Sequence, residues 1–210
     1  RSRHVCMLLG AGTSKACGLP DVAELEERVY DSLEDKDRKV FDKLREDRSL
    51  EQVLSRLRRI NTLLSGGTDR VDGLTAEDAA SLDAKVCHQI VQALEVDTHK
   101  LSPAKKLAAW AGRADYHQPV ELFTVNYDLV LETALEASGV PYFDGFIGAL
   151  KARFHTDLVE AVVGEEDSTL PAFLVRLWKL HGSVNWEWDS DRRSNVIRLG
   201  APVSDEAPAA

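Results

Sequence analysis

The run Val5-Cys6-Met7-Leu8-Leu9 ends abruptly in Gly10-Ala11-Gly12-Thr13-Ser14, and no other junction limits the fold of this chain as much. Five residues without alternating polarity suit a strand covered on both faces, as in parallel sheets, so residues 5–9 are expected to form a central strand. Two glycines directly after it allow a sharp turn and let backbone N–H groups approach a ligand with no Cβ in the way. The next strong strand pattern is residues 120–125, far beyond the roughly thirty residues in which a simple strand-helix-strand unit crosses over.

The intervening chain is almost entirely helical in pattern. Asp21 and Glu24 form a capping box for a helix reaching about residue 33, and the highly charged residues 34–48 read as a solvated helix or connector. Ser49 and Gln52 form a second box, after which Leu50, Val53, Leu54, Leu57, Ile60 and Leu64 recur at helical spacing until Gly66-Gly67. Thr75 with Asp78 opens another helix to about residue 96, and Ser102-Pro103 opens a third. These segments predict an inserted helical layer or subdomain over about 21–117. Further on, 127–137 reads as a helix, 140–143 as a short strand, 150–163 as a helix and 175–180 as a strand. The expected fold is α/β, a Rossmann-like parallel sheet with this helical insert, over residues 1–201, followed by a flexible tail at 202–210.

Composition excludes several classes of function. A formal net charge of −9 repels a polyanion, and the densest basic cluster, Arg56-Leu57-Arg58-Arg59, reads as a solvated helix face, so direct nucleic-acid binding is not expected. Cys6, Cys17 and Cys87 contain no Cys-x-x-Cys pair and no disulfide framework, which points to a reducing, cytoplasmic setting and no zinc module. No apolar stretch approaches the roughly 20 residues of a membrane span, and there is no signal-peptide pattern. The six histidines lack metal-ligand spacing, so no metal is expected. The chain starts at Arg1 rather than Met and reads as a processed or trimmed piece.

Two further motifs sit where apolar runs end: Thr124-Val125-Asn126-Tyr127-Asp128 and Lys179-Leu180-His181-Gly182-Ser183. In an open parallel sheet, strand ends share one crevice, which is where such folds bind ligands. Lys15 stands where a Gly-x-Gly-x-x-Gly fingerprint needs its third glycine, and no Gly-Lys-Ser or Gly-Lys-Thr follows. Asn126 or Asp128, taken alone, reads as a helix cap. His181 is the best candidate base, because an unperturbed imidazole titrates near pH 6.5. Trp186 and Trp188 alternate and read as core or edge packing.

Taken together, Gly10-Ala11-Gly12-Thr13-Ser14, Gly18-Leu19-Pro20, Thr124-x-Asn126-Tyr127-Asp128 and Lys179-Leu180-His181-Gly182-Ser183-x-x-Trp186 resemble the sirtuin superfamily. The resemblance is closer to its bacterial sirtuin-like branch of NAD-consuming anti-phage defence proteins than to the protein deacylases. The helix start Ser49-Leu50-Glu51-Gln52-Val53-Leu54 is similar to that branch as well. Deacylases carry a four-cysteine zinc module after His-Gly, a Phe-Arg pair where Asp21-Val22-Ala23-Glu24 stands, and a glutamine at the Val125 position. A late glycine-serine strand that contacts the adenosine ribose in the family is not recognisable before Ala210, so either the chain is truncated or a partner completes the pocket.

The resemblance implies cleavage of the nicotinamide N-glycosidic bond of NAD, with NAD as substrate and no metal. Gly10, Ala11, Gly12, Thr13 and Ser14 would cradle the pyrophosphate, Asn126 would orient the nicotinamide ribose or the attacking water, and His181 would act as general base. Asp128, by analogy with the family, would hydrogen-bond the carboxamide. The alternatives are an NAD-dependent protein deacylase or ADP-ribosyltransferase, and a non-catalytic module binding NAD or ADP-ribose. The resemblance further implies control within a homo-oligomer or in a complex with a defence partner, such as a helicase-like ATPase or an Argonaute-like protein.

Overall fold

The computed structural model describes residues 5–113, 119–159, 174–189 and 196–200. Along the chain its elements are strand β1 (Cys6–Leu9), helices α1 (Ala11–Ala16), α2 (Val22–Ser32), α3 (Asp35–Arg45), α4 (Leu50–Leu64), α5 (Ala76–Ala93) and α6 (Ser102–Arg113), and strand β2 (Glu121–Thr124). Helix α7 (Val130–Ala137) follows, then strands β3 (Tyr142–Phe143), β4 (Phe146–Ile147), β5 (Lys151–Phe154), β6 (Val175–Lys179), β7 (Trp186–Trp188) and β8 (Val196–Leu199). The chain divides into two units, Arg1–Asp21 with Leu94–Ala210, and Val22–Ala93. The tail expected at 202–210 lies outside the described residues.

The first unit is built on a parallel sheet of order β1-β2-β6-β3. One face of that sheet forms a core with the flanking helices, in which Leu122 and Leu177 join Ala104, Ala108 and Ala111 of α6 and Val130, Leu131, Ala134 and Leu135 of α7. The three alanines recur at helical spacing on the buried side of α6, and their small side chains permit close approach. This is the expected Rossmann-like core with a helical insert.

Strand β1 corrects one expectation. It stands at an edge of the sheet among the described residues rather than at the centre. Met7 and Leu9 pack against the core while Cys6 is exposed and Leu8 is 73% exposed. An apolar run records residue type, whereas a place within a sheet depends on neighbours supplied from elsewhere in the chain.

The second correction concerns residues 150–163, expected as a helix. Residues Lys151–Phe154 instead form β5, which pairs antiparallel with β4 and β8 in a second sheet of order β4-β5-β8-β7. The bend before β5 passes through Gly148 at φ 127°, where a Cβ would come within 2.9 Å of the Lys151 carbonyl oxygen. Strand partners distant in sequence override the local helical pattern here. A helical turn occupies 156–159, and 160–163 lie outside the described residues. Trp186 packs on Phe146 with ring centroids 4.9 Å apart, while Trp188 is 65% exposed on the edge strand β7.

The second unit consists of α2, α3, α4 and α5, whose buried residues include Val29, Phe41, Val53, Leu57, Ile60, Leu82 and Val86. The Ser49 and Gln52 capping box forms with both reciprocal bonds. At the start of α5, Thr75 and Asp78 exchange hydrogen bonds, and these hold the Asp78 carboxyl below the usual carboxylate range. The charged segment 34–48 contains a true amphipathic helix, with Phe41 and Leu44 buried. In the basic cluster, Arg56 meets Asp72 and Arg58 meets Asp83, while Leu57 between them is buried.

Candidate active site

The register of the parallel sheet sets Leu9 beside Thr124 and Thr124 beside Lys179. Adjacent strands lie about 4.8 Å apart, so the three chains that leave these positions emerge side by side at one edge. The pairing carries past the last strand residues, with the Val125 N–H donating to the Leu9 carbonyl (3.3 Å) and the Leu180 N–H to the Thr124 carbonyl (2.8 Å). All three sequence motifs therefore start from one place.

At the first strand end, Gly10 caps α1 in an extended conformation (φ −122°), and its carbonyl accepts from the Thr13 N–H at 2.9 Å. Among the described residues, a Cβ added at Gly10 or Gly12 would meet nothing within 4 Å, and neither residue has positive φ. No described neighbour and no backbone constraint requires these glycines. Their effect is to keep the space in front of the first turn of α1 open, where a helix directs N–H groups lacking carbonyl partners within the helix.

At the second strand end lies a network that joins residues far apart in sequence. Ser14, only 3% exposed, donates its hydroxyl to Asp128 Oδ2. A carboxylate can only accept, so the same hydroxyl oxygen must accept from Asn126 Nδ2, 2.6 Å away. Asn126 Nδ2 also donates to the Gly10 carbonyl at 2.9 Å. Both amide hydrogens are thus directed inward, which fixes the orientation of the carboxamide. The other Asp128 oxygen accepts from the Val130 N–H at 3.0 Å and so closes the turn into α7. The capping role open to Asp128 is realised, and the residue is buried with 5% exposure.

The third strand end is tied to the second through the Tyr127 carbonyl, which accepts from the Val184 N–H (2.9 Å), the Ser183 hydroxyl (3.3 Å) and Lys179 Nζ (3.4 Å). Gly182 has φ 90°, a conformation that favours glycine, and it turns the chain immediately after His181. The exposed His181 ring lies with its centroid 6.4 Å from that of Tyr127, tilted by 33°. Lys179 Nζ also donates to the Asp128 carbonyl and to Glu132 Oε1, the latter at 2.9 Å. The side chains of this pair are 2% and 11% exposed. Burial pushes the Glu132 carboxyl up, against the pull of the Lys179 ammonium.

The structure thus brings Gly10, Ser14, Asn126 and Asp128 into one network of hydrogen bonds. It sets His181 on the neighbouring strand end, beside Tyr127. Sequence reasoning missed Lys179 and Glu132 as members of the site. A signal existed, since a lysine within the apolar strand expected over 175–180 demands a partner wherever that strand is buried.

Residues 120–198 match the family model of the SIR2-like domain. The SIR2-like stretch begins just before β2 and ends within β8, so it contains Asn126, Asp128, Glu132, Lys179 and His181. The Gly10 to Ser14 turn lies outside it and joins it through the Asn126 and Asp128 hydrogen bonds. No curated protein matches the chain. Among the described residues, no group of three or more His, Cys, Asp and Glu is placed to hold a metal ion, and no helix is long and apolar enough to cross a membrane.

Proposed function

We propose that this protein is an NAD glycohydrolase that cleaves the bond between nicotinamide and ribose, and that it serves as the effector of a bacterial anti-phage defence system. The SIR2-like match supports a sirtuin-like, NAD-using function in general. The observation that carries the finer reading is the shared edge at which the glycine turn, Asn126 and His181 leave adjacent parallel strands.

The chemistry asks little of the protein beyond position and charge. The nicotinamide leaves as a neutral pyridine once its ring nitrogen takes the bonding electron pair, so no acid is needed at the leaving group. The ribose passes through an oxocarbenium-like state, water adds at the anomeric carbon, and His181 accepts the proton of that water. The N–H groups of Ala11 and Gly12 and the Thr13 hydroxyl face the pyrophosphate across the open space before α1. Asn126, whose amide hydrogens are held by Gly10 and Ser14, presents its carboxamide oxygen to the ribose hydroxyl or to the water. Ser14 and Asp128 act by holding Asn126. Control in a cytoplasmic homo-oligomer or defence complex keeps such an activity compatible with growth of the host.

The test is nicotinamide release from NAD by the purified protein. His181→Ala and Asn126→Ala are each expected to slow it by about 10²- to 10⁴-fold. Rates equal to that of the unsubstituted protein eliminate the assignment of these residues. Release that depends strictly on an acyl-lysine peptide identifies a deacylase instead.

A further inference from the structure

We infer that Lys179 and Glu132 form a buried staple that sets the Asn126-Tyr127-Asp128 turn in place, which makes Lys179 a positioning residue for the cleavage reaction. The inference rests on the NAD-cleavage reading above for its catalytic consequence, though not for its geometry.

An ammonium group has three hydrogens to donate, and in Lys179 each has a named acceptor: the Asp128 carbonyl, the Tyr127 carbonyl and Glu132 Oε1. Two of these acceptors belong to the backbone of the turn, and the third stands on the first helical turn of α7. Lys179 itself is the last residue of β6, in register with Thr124 at the end of β2. One side chain therefore fastens a strand end, the loop beside it and the helix that follows.

The loop in turn holds the proposed reacting groups. The Asp128 carbonyl is fixed by Lys179, its carboxylate holds Ser14, and Ser14 holds the Asn126 amide. His181 lies two residues beyond Lys179 along the chain, and Asn126 directly precedes the two residues whose carbonyls Lys179 holds. A neutral, apolar side chain of similar length would fill the same space without donating to either carbonyl. Displacements of about 1 Å in a reacting group lower rates by up to about 10²-fold, so loss of the staple should be read in turnover rather than in binding.

Three forms of the protein are compared: the unsubstituted chain, Glu132→Gln, and the double variant Lys179→Met with Glu132→Leu. Glu132→Gln keeps an acceptor for Lys179 and leaves its two carbonyl contacts intact, whereas the double variant removes both charges together and keeps the volume apolar, which proteins often tolerate. The expected result is a folded double variant with kcat lowered about 10- to 100-fold, KM within about threefold, and a shifted Asn126 side-chain amide resonance by NMR. Glu132→Gln, which removes the countercharge but leaves both carbonyl contacts of Lys179, should lower kcat less than the double variant and shift that resonance less. A folded double variant with unchanged kcat and an unmoved Asn126 resonance overturns the staple. If the unsubstituted protein releases no nicotinamide, the NAD-cleavage reading fails, while the Asn126 resonance in the same variants still decides the staple. Should the double variant not fold, the Lys179 ammonium signal of the unsubstituted protein decides: slow hydrogen exchange supports the staple, and fast exchange with free rotation overturns it.

Discussion

In the helical unit, Arg58 and Asp83 meet at 3.0 Å with side chains 60% and 22% exposed, while under the strand ends Lys179 and Glu132 meet at 2.9 Å with 2% and 11% exposed. The distances are nearly equal and the consequences differ. Water screens the first pair, so its net contribution is small. The second pair has lost its hydration, and each charge depends on the other and on the carbonyls around it. A second buried pair, Arg176 with Glu121, stands in the same sheet at 3.0 Å. Among the described ion pairs, those of the helical unit reach its surface, whereas the sheet unit has surface pairs and also two inside, one of which holds backbone carbonyls in place.

The largest effect is expected for Lys179→Met alone, which strands the Glu132 carboxylate and should destabilise the protein by about 3–5 kcal/mol in denaturant titration. Adding Glu132→Leu should recover much of that loss, and a single variant as stable as the unsubstituted chain would erase the distinction between the two kinds of pair. Next is Leu57→Ala in the helical unit, where the side chain is fully buried. Truncation there should cost about 2–5 kcal/mol, seen as faster hydrogen exchange in α4 and α5, and unchanged protection would show that Leu57 does not hold these helices together.

The smallest effect concerns pH. Asp78 is held below the ordinary carboxylate range of about 3.9 by hydrogen bonds from Thr75. A carboxyl whose folded value is lowered adds stability that is fully present above its unfolded value and is lost as pH falls through the folded one. Protection of the first amides of α5 should therefore weaken as pH drops below about 4, and Asp78→Asn should flatten that dependence. An identical pH profile in the variant would remove Asp78 from the cap.

The boxes at Ser49 and Thr75 were legible because their partners stand three residues apart and answer to one local geometry. Strands β1, β2 and β6 were legible as apolar runs, and the motifs at their ends as breaks in those runs. The edge position of β1 and the antiparallel strands β5 and β8 were not, because each depends on which distant segment lies alongside. Lys179 and Glu132 are 47 residues apart, a spacing that marks no motif, and the need of a lysine for a partner follows only once its strand is known to be buried.

Local chemistry in the chain determined where helices begin, which runs become strands and which small or polar residues stand at their ends, since each follows from neighbours a few positions away. The tertiary structure alone decided that three of those ends meet, that Ser14 turns its hydroxyl inward to Asp128, and that Lys179 reaches the Asp128 carbonyl. Strand pairing and the desolvation of charge depend on segments distant in sequence, so the contacts that hold this site exist only once the sheet has assembled.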